Sequence, residues 1–119
     1  MNTHPSVTES VVRNHLQTFL EQKGVDAIAL DYDAGAILVG EDRTYHGRAE
    51  IRAFFEEFIA SLPPGTIEQF ALRALHVEGD LAYIVWSAGS AVLLGTDTFV
   101  VRDGRIVSQT FAMQRADAA

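Results

Sequence analysis

Apolar residues recur at Val11, Val12, Leu16, Phe19 and Leu20, the three-and-four spacing that gathers them on one side of an α-helix. Ser6 and Glu9 stand three apart just ahead of this stripe, the spacing of a capping box, in which each side chain satisfies the other's free backbone donor. Lys23 and Gly24 supply a cation for the last turn and a stop, so a helix is predicted from Val7 to Lys23. A shorter helix over Val25 to Leu30 and strands near Ala36 to Val39 and Arg43 to Tyr45 follow. The clearest stripe is Ile51, Phe54, Phe55, Phe58, Ile59 and Leu62, with Arg52, Glu56, Glu57 and Ser61 between them. It predicts a third helix from Arg48, ended by Pro63-Pro64-Gly65. Beyond it, strands are predicted over Ile67 to Val77, Leu81 to Ser87, Thr96 to Arg102 and Arg105 to Gln114. Gly79-Asp80 and Asp103-Gly104 are turn signals, and Ala88 to Gly95 reads as a turn or bulge.

Helices first and a four-strand antiparallel meander afterwards is an α+β order, because hairpin-linked strands need no crossover helices. One face of the sheet must be covered, and the three N-terminal helices carry the apolar stripes to do it. If Asp103-Gly104 forms a type I′ hairpin, Arg102 pairs with Arg105, Phe99 with Ser108 and Asp97 with Thr110. Asp97, Phe99, Val101, Ile106, Ser108 and Thr110 then share one face. Thr98, Val100, Val107, Gln109 and Phe111 fall on the other, which is still largely apolar. That second face is expected to meet another copy of the chain, making a homodimer through Val100, Val107 and Phe111.

The 119 residues, 48% of them hydrophobic, are one domain's worth, enough to bury roughly two-thirds of the unfolded surface. Residues 1–5 and 115–119 are expected to be flexible ends. With no cysteine, disulfides, thiolate catalysis and cysteine-held metal centres are excluded. Sixteen acidic residues against nine basic ones give a charge of −7, and the basic residues are scattered, so a phosphate backbone would be repelled and nucleic acid is not an expected partner. The opening MNTHPSVTES lacks the basic and apolar regions of a signal peptide, and no apolar run approaches the ~18 residues of a membrane span. A cytoplasmic location is the expectation. His4, His15, His46 and His76 are not at ligand spacings and no HExxH occurs; GxxxxGK is absent, and Ala88-Gly89-Ser90-Ala91 lacks the second glycine of a serine-hydrolase elbow. Neither a metal nor a cofactor is expected.

The run Tyr45-His46-Gly47-Arg48-Ala49-Glu50-Ile51-Arg52-Ala53-Phe54-Phe55 resembles the start of the third helix in the nuclear transport factor 2-like superfamily, particularly its SnoaL-like and ketosteroid-isomerase-like branches. Thr96 to Val107 is similar to the last two strands of the same families. With the Val11-Val12 helix and Asp31-Tyr32-Asp33-Ala34, the likeness covers nearly the whole chain. It implies a cone-shaped, cystatin-like fold whose curved antiparallel sheet surrounds a pocket for a small hydrophobic molecule. The superfamily holds isomerases, cyclases, dehydratases, hydrolases and non-catalytic binders, so the fold does not choose among them.

Carried over position by position, Asp97 matches a strand aspartate that faces the pocket in isomerase-like enzymes, and His15 falls where they carry an oxyanion-donating tyrosine. The residues agree in part. A carboxyl among Thr96, Thr98 and Phe99 in an apolar strand should be poorly solvated, which raises its pKa toward neutrality. His15 lies on the inward stripe with Val11 and Phe19. Asp97 as acid/base with His15 as partner or oxyanion donor are the expected catalytic residues. Tyr32 and Tyr83 are expected to orient the ligand, with Phe54, Phe58 and Phe99 as apolar walls. Trp86 should point away from Tyr83, and Asp31 and Asp33 read as solvated caps. Plainer readings stand beside these: a core histidine, an aspartate satisfied by Thr110 or a backbone amide, and packed tyrosines with bonded hydroxyls. One departure is decisive: the strand-one aspartate base of ketosteroid isomerases falls on or beside Leu38, so steroid isomerisation lacks its proton carrier. The expectation is a SnoaL-like cyclase or isomerase working without cofactor on a small carbonyl compound, or else a non-catalytic ligand-binding or dimerisation module.

Overall fold

The computed structural model describes residues 6–116. Helix α1 spans Val7–Leu20, α2 Val25–Ala29 and α3 Gly47–Ser61, with strands β1 Tyr32–Val39 and β2 Thr44–His46 between α2 and α3. A short 3₁₀ turn, Ile67–Gln69, precedes β3 Phe70–Glu78, β4 Leu81–Ala88, β5 Val92–Arg102 and β6 Arg105–Arg115. The six strands form one curved sheet in the order β2-β1-β6-β5-β4-β3, and the helices cover its inner face. The predicted α+β architecture holds, but β5 begins at Val92, inside the segment expected to be a turn or bulge, and two further refinements appear. β1 lies parallel to β6, a long-range pairing that no turn signal announces, and Ile67 belongs to the 3₁₀ turn rather than to a strand. Of the ends expected to be flexible, residues 1–5 and 117–119 lie outside the described residues. Arg115 is paired with Val92 at the end of β6, so the strand runs one residue into that expected tail.

Ser6 caps α1, its hydroxyl accepting from the Glu9 amide at 3.1 Å; Glu9 turns instead to Arg13 at 2.8 Å, so half of the capping box forms. Gln22, at φ 55°, ends the helix in the left-handed conformation, and the Lys23 amide reaches back to the Thr18 carbonyl. Gly24 opens α2 instead of closing α1. At α3, the Glu50 carboxylate accepts from the His46 amide at 2.9 Å, which stabilises the helix start. Ile51 and Phe55 from this helix are buried with Val12, Leu38, Ile84, Phe99 and Ile106 in one core.

The β5–β6 hairpin sets the geometry of the interior. Asp103 at φ 51° and Gly104 at φ 76° form the predicted turn, and Arg102 pairs with Arg105 and Val101 with Ile106. Val100 then pairs with Ser108, so Val107 is an extra residue, a β-bulge that changes the facing of everything after it. Phe99 pairs with Gln109 and Asp97 with Phe111, one position beyond the predicted register. Gln109 and Phe111 therefore face the helices, not the outer side. Phe111 packs edge-on against Phe54 and Phe58, with ring centroids 5.5 and 5.4 Å away, and drops out of the expected dimer surface; Val100 and Val107 are half-buried.

No helix among the described residues is long and apolar enough to cross a membrane.

Candidate functional site

Three strands and α1 aim side chains at one small cavity of about 50 Å³ between α1, α3 and the sheet, room for a few water molecules. His15 enters it from α1, Asp97 from β5, Gln109 from β6 and Trp86 from β4, while Phe54, Phe58 and Phe99 form apolar walls. The predicted pair is thus brought to one cavity, with His15 only 3% and Asp97 7% exposed.

His15 and Asp97 are joined through intermediaries. One Asp97 carboxylate oxygen accepts from the Trp86 indole N–H at 2.7 Å and the other from the Gln109 amide at 2.8 Å. The Gln109 carbonyl oxygen accepts from the Tyr32 hydroxyl, and that hydroxyl lies 3.3 Å from His15 Nε2. His15 Nδ1 is 2.8 Å from Asp31 Oδ2. Six side chains therefore form one continuous polar chain through an apolar interior, where satisfied bonds are strong and broken ones costly. No described buried side-chain polar atom is left without a partner.

Burial pushes the Asp97 carboxyl up to about 6; hydrogen bonds from Trp86 and Gln109, and the charge of His15, oppose the rise. Burial also drives the Tyr32 hydroxyl well above its ordinary range, helped by the Asp97 and Asp31 carboxylates, so it stays protonated and acts as a hydrogen-bond donor. A carboxyl that titrates near 6, facing an imidazole across an apolar cavity, can take and return a proton.

Tyr32 is fully buried and stands behind His15, its hydroxyl a link in the chain. Tyr83 does not join: it is 39% exposed, between inward Ala82 and Ile84, and lies on the outer face. Trp86, expected to point elsewhere than the pocket, is on the inner side with Ile84. Its ring covers Gly95, where a Cβ would come within 2.1 Å of the indole; the glycine lets the ring lie close enough to reach Asp97. Asp31 is no solvated cap, since its carboxylate holds His15; Asp33 does cap a turn, accepting from the Gly35 amide at 3.0 Å. Leu38 is fully buried in the core, so the position of the isomerases' base is apolar here. Gln109, Trp86 and Asp31 are the site residues that sequence reasoning missed. For Trp86 a signal existed in its even spacing from Ala82 and Ile84; Gln109 was hidden by the bulge.

This architecture is that of the nuclear transport factor 2-like superfamily. A protein of that kind and of unknown function from Mesorhizobium loti is 22% identical with a TM-score of 0.74, the match covering 96% of this chain and 99% of that one. TerC, crystallised with polyporic acid, is 16% identical with a TM-score of 0.72 over 92% of each chain. A de novo designed protein with a curved β-sheet is 14% identical with a TM-score of 0.77, over 94% of this chain and 88% of the design. The sequence profile of the SnoaL-like domain matches residues 12–109, and the chain belongs to that family. No curated protein sequence matches it.

Proposed function

We propose that this chain is a cofactor-free acid/base catalyst of the cyclase or isomerase type, acting on a small hydrophobic carbonyl compound. Asp97 exchanges the proton and His15 stabilises or protonates the carbonyl oxygen. The observation that carries the reading is the convergence of a buried carboxyl titrating near 6 and a buried imidazole on one aromatic cavity. At neutral pH such a carboxyl is mostly ionised yet basic enough to accept a proton from a carbon next to a carbonyl. The cavity itself is small, and the ligand gains room by displacing the walls Phe54, Phe58 and Phe111, which also line an outer cleft of about 280 Å³. TerC, crystallised with polyporic acid, supports an organic ligand for the fold.

Proton exchange can be followed as deuterium uptake at the α-carbon of a panel of cyclic ketones. Asp97→Asn is expected to keep the fold and lower the rate about 10²- to 10⁴-fold. Equal rates in the variant, or no uptake with the parent protein, would sink the catalytic reading.

A second reading, a ligand-binding module without turnover, draws on a different observation: both Asp97 oxygens are already occupied by donors. Retained ligand affinity in Asp97→Asn with an inert parent selects it. Under either reading the protein is a cytoplasmic homodimer joined through the outer sheet face, where Leu81 and Tyr83 are 45% and 39% exposed beside Val100. Sedimentation as a monomer at tens of micromolar would remove the dimer.

A further inference from the structure

We propose that Gln109 is a positioning residue that ties the proton of Asp97 to that of His15, because the buried chain has two mutually exclusive hydrogen-bond arrangements. The proposal rests on the reading of Asp97 and His15 as an acid–base pair.

In the first arrangement the directions are forced, link by link. An ionised Asp97 only accepts, so Gln109 presents its amide N–H₂ to it. The Gln109 oxygen then faces Tyr32, which spends its single hydroxyl hydrogen there. Tyr32 has only a lone pair left for His15, so Nε2 carries a hydrogen. Nδ1 faces a carboxylate oxygen of Asp31 and carries one too. In this arrangement His15 is an imidazolium and Asp97 a carboxylate.

The reverse arrangement is equally complete. A protonated Asp97 donates to the Gln109 oxygen, the amide turned over by half a rotation; Gln109 N–H₂ donates to the Tyr32 oxygen; and Tyr32 O–H donates to a bare His15 Nε2, while Nδ1–H stays on Asp31. Both arrangements hold the same number of protons, one of which has moved from His15 to Asp97. A mixed state sets two acceptors face to face (ionised Asp97 with a bare Nε2) or two donors face to face (protonated Asp97 with Nε2–H), at a cost of about 1–3 kcal/mol.

A bound carbonyl compound can convert one arrangement into the other. Its α-carbon gives a proton to Asp97, the C–H electron pair becomes the enol double bond, and the carbonyl π pair forms an O–H bond with the proton leaving His15 Nε2. The enol is then bound to the second arrangement; return of a proton from Asp97 to the α-carbon, or to the γ-carbon where the enol is a conjugated dienol, re-forms the carbonyl as its O–H proton goes back to His15 Nε2, and the first arrangement is restored. Gln109 neither gives up nor takes a proton; it makes the two transfers mutually dependent.

The groups that face this chain are few. Around His15 stand Asp31, Tyr32 and, across the cavity, Asp97, with the rings of Phe55 and Phe99 at 5.8 and 5.7 Å; around Asp97 stand Trp86, Gln109, His15 and Tyr32. Among the described residues, His15 and Asp97 are the only acidic or basic side chains lining the cavity.

The test follows the His15 ring nitrogens and the Asp97 carboxyl carbon by NMR across a pH titration of the full chain, without ligand. With Asp97 ionised, both ring nitrogens are expected to be protonated, and each trace shows the other group's step. Gln109→Leu is expected to reduce each trace to its own step; Tyr32→Phe, which cuts the same chain with less change of shape, does the same if the leucine variant does not fold. A bare His15 nitrogen beside an ionised Asp97 in the parent protein, or traces that both variants leave unchanged, overturns the proposal. These readouts need no turnover. Linked traces in a protein inert toward every ketone would therefore uphold the tie and remove the catalytic reading, whereas turnover with unlinked traces would do the opposite.

Discussion

The two halves of the cavity are built on opposite physical terms. On one side Asp97, Gln109, Tyr32 and His15 are locked by directional bonds drawn from four different elements, so moving any one of them strands its neighbours in an apolar interior. On the other, Phe54, Phe58 and Phe111 meet through ring contacts 5.4 to 5.8 Å between centroids, weak individually and tolerant of rotation. The polar half can hold a reacting atom to a fixed geometry. The aromatic half can yield to a ligand larger than the space between them.

The sharper of two ways to probe this contrast is pH. Burial holds the Asp97 carboxyl at about 6, against roughly 4 in the unfolded chain. Between those two values Asp97 keeps a proton in the native state that it has released in the unfolded one, so its own contribution to stability falls as pH rises from about 4 to 6, a slope that is cancelled to the extent that native His15 gives up its proton in the second arrangement. The full loss is about 3 kcal/mol, and Asp97→Asn is expected to flatten that part of the profile when urea midpoints are compared across the window. An unaltered profile would mean that Asp97 is not the buried acid of the rigid half. The smaller effect is expected from Phe58→Ala, which removes one half-buried wall. It should cost about 1–3 kcal/mol, less than a fully buried phenylalanine, strengthen the binding of bulkier apolar ligands, and leave the Asp97 step in place. A step displaced by a full pH unit would show that the aromatic half also governs the carboxyl.

Much of the fold was legible because its signals are local. The Ile51-Phe54-Phe55-Phe58 stripe names its own helix, and Asp103-Gly104 names its own turn. His15 was legible as an inward residue because it repeats with Val11 and Phe19, and Asp97 because two faithful pairs beyond the turn give its facing. Tyr83 and Trp86 were assigned to the wrong sides because Leu81 to Trp86 is apolar on both alternations, so pattern cannot choose a face; the choice is made by how tightly Ala82 and Ile84 pack under the helices. Asp31 looked like a turn residue because its partner, His15, is sixteen positions away and meets it only through the folded arrangement of α1 against the start of β1. Gln109 was hidden for a different reason: a single unpaired residue at Val107 has no marker in composition.

That slack at Val107 gives the last strand a sensitivity that point substitutions do not have. Beyond it, Gln109, Phe111 and Met113 are sheltered while Thr110, Ala112 and Gln114 are exposed. Losing one codon there would exchange the two sets and line the interior with a hydroxyl, a methyl and an amide in place of the present residues, with hairpin, helices and strand order all retained. In such a scaffold, new chemistry is reached more directly by changing the length of a strand than by changing its letters.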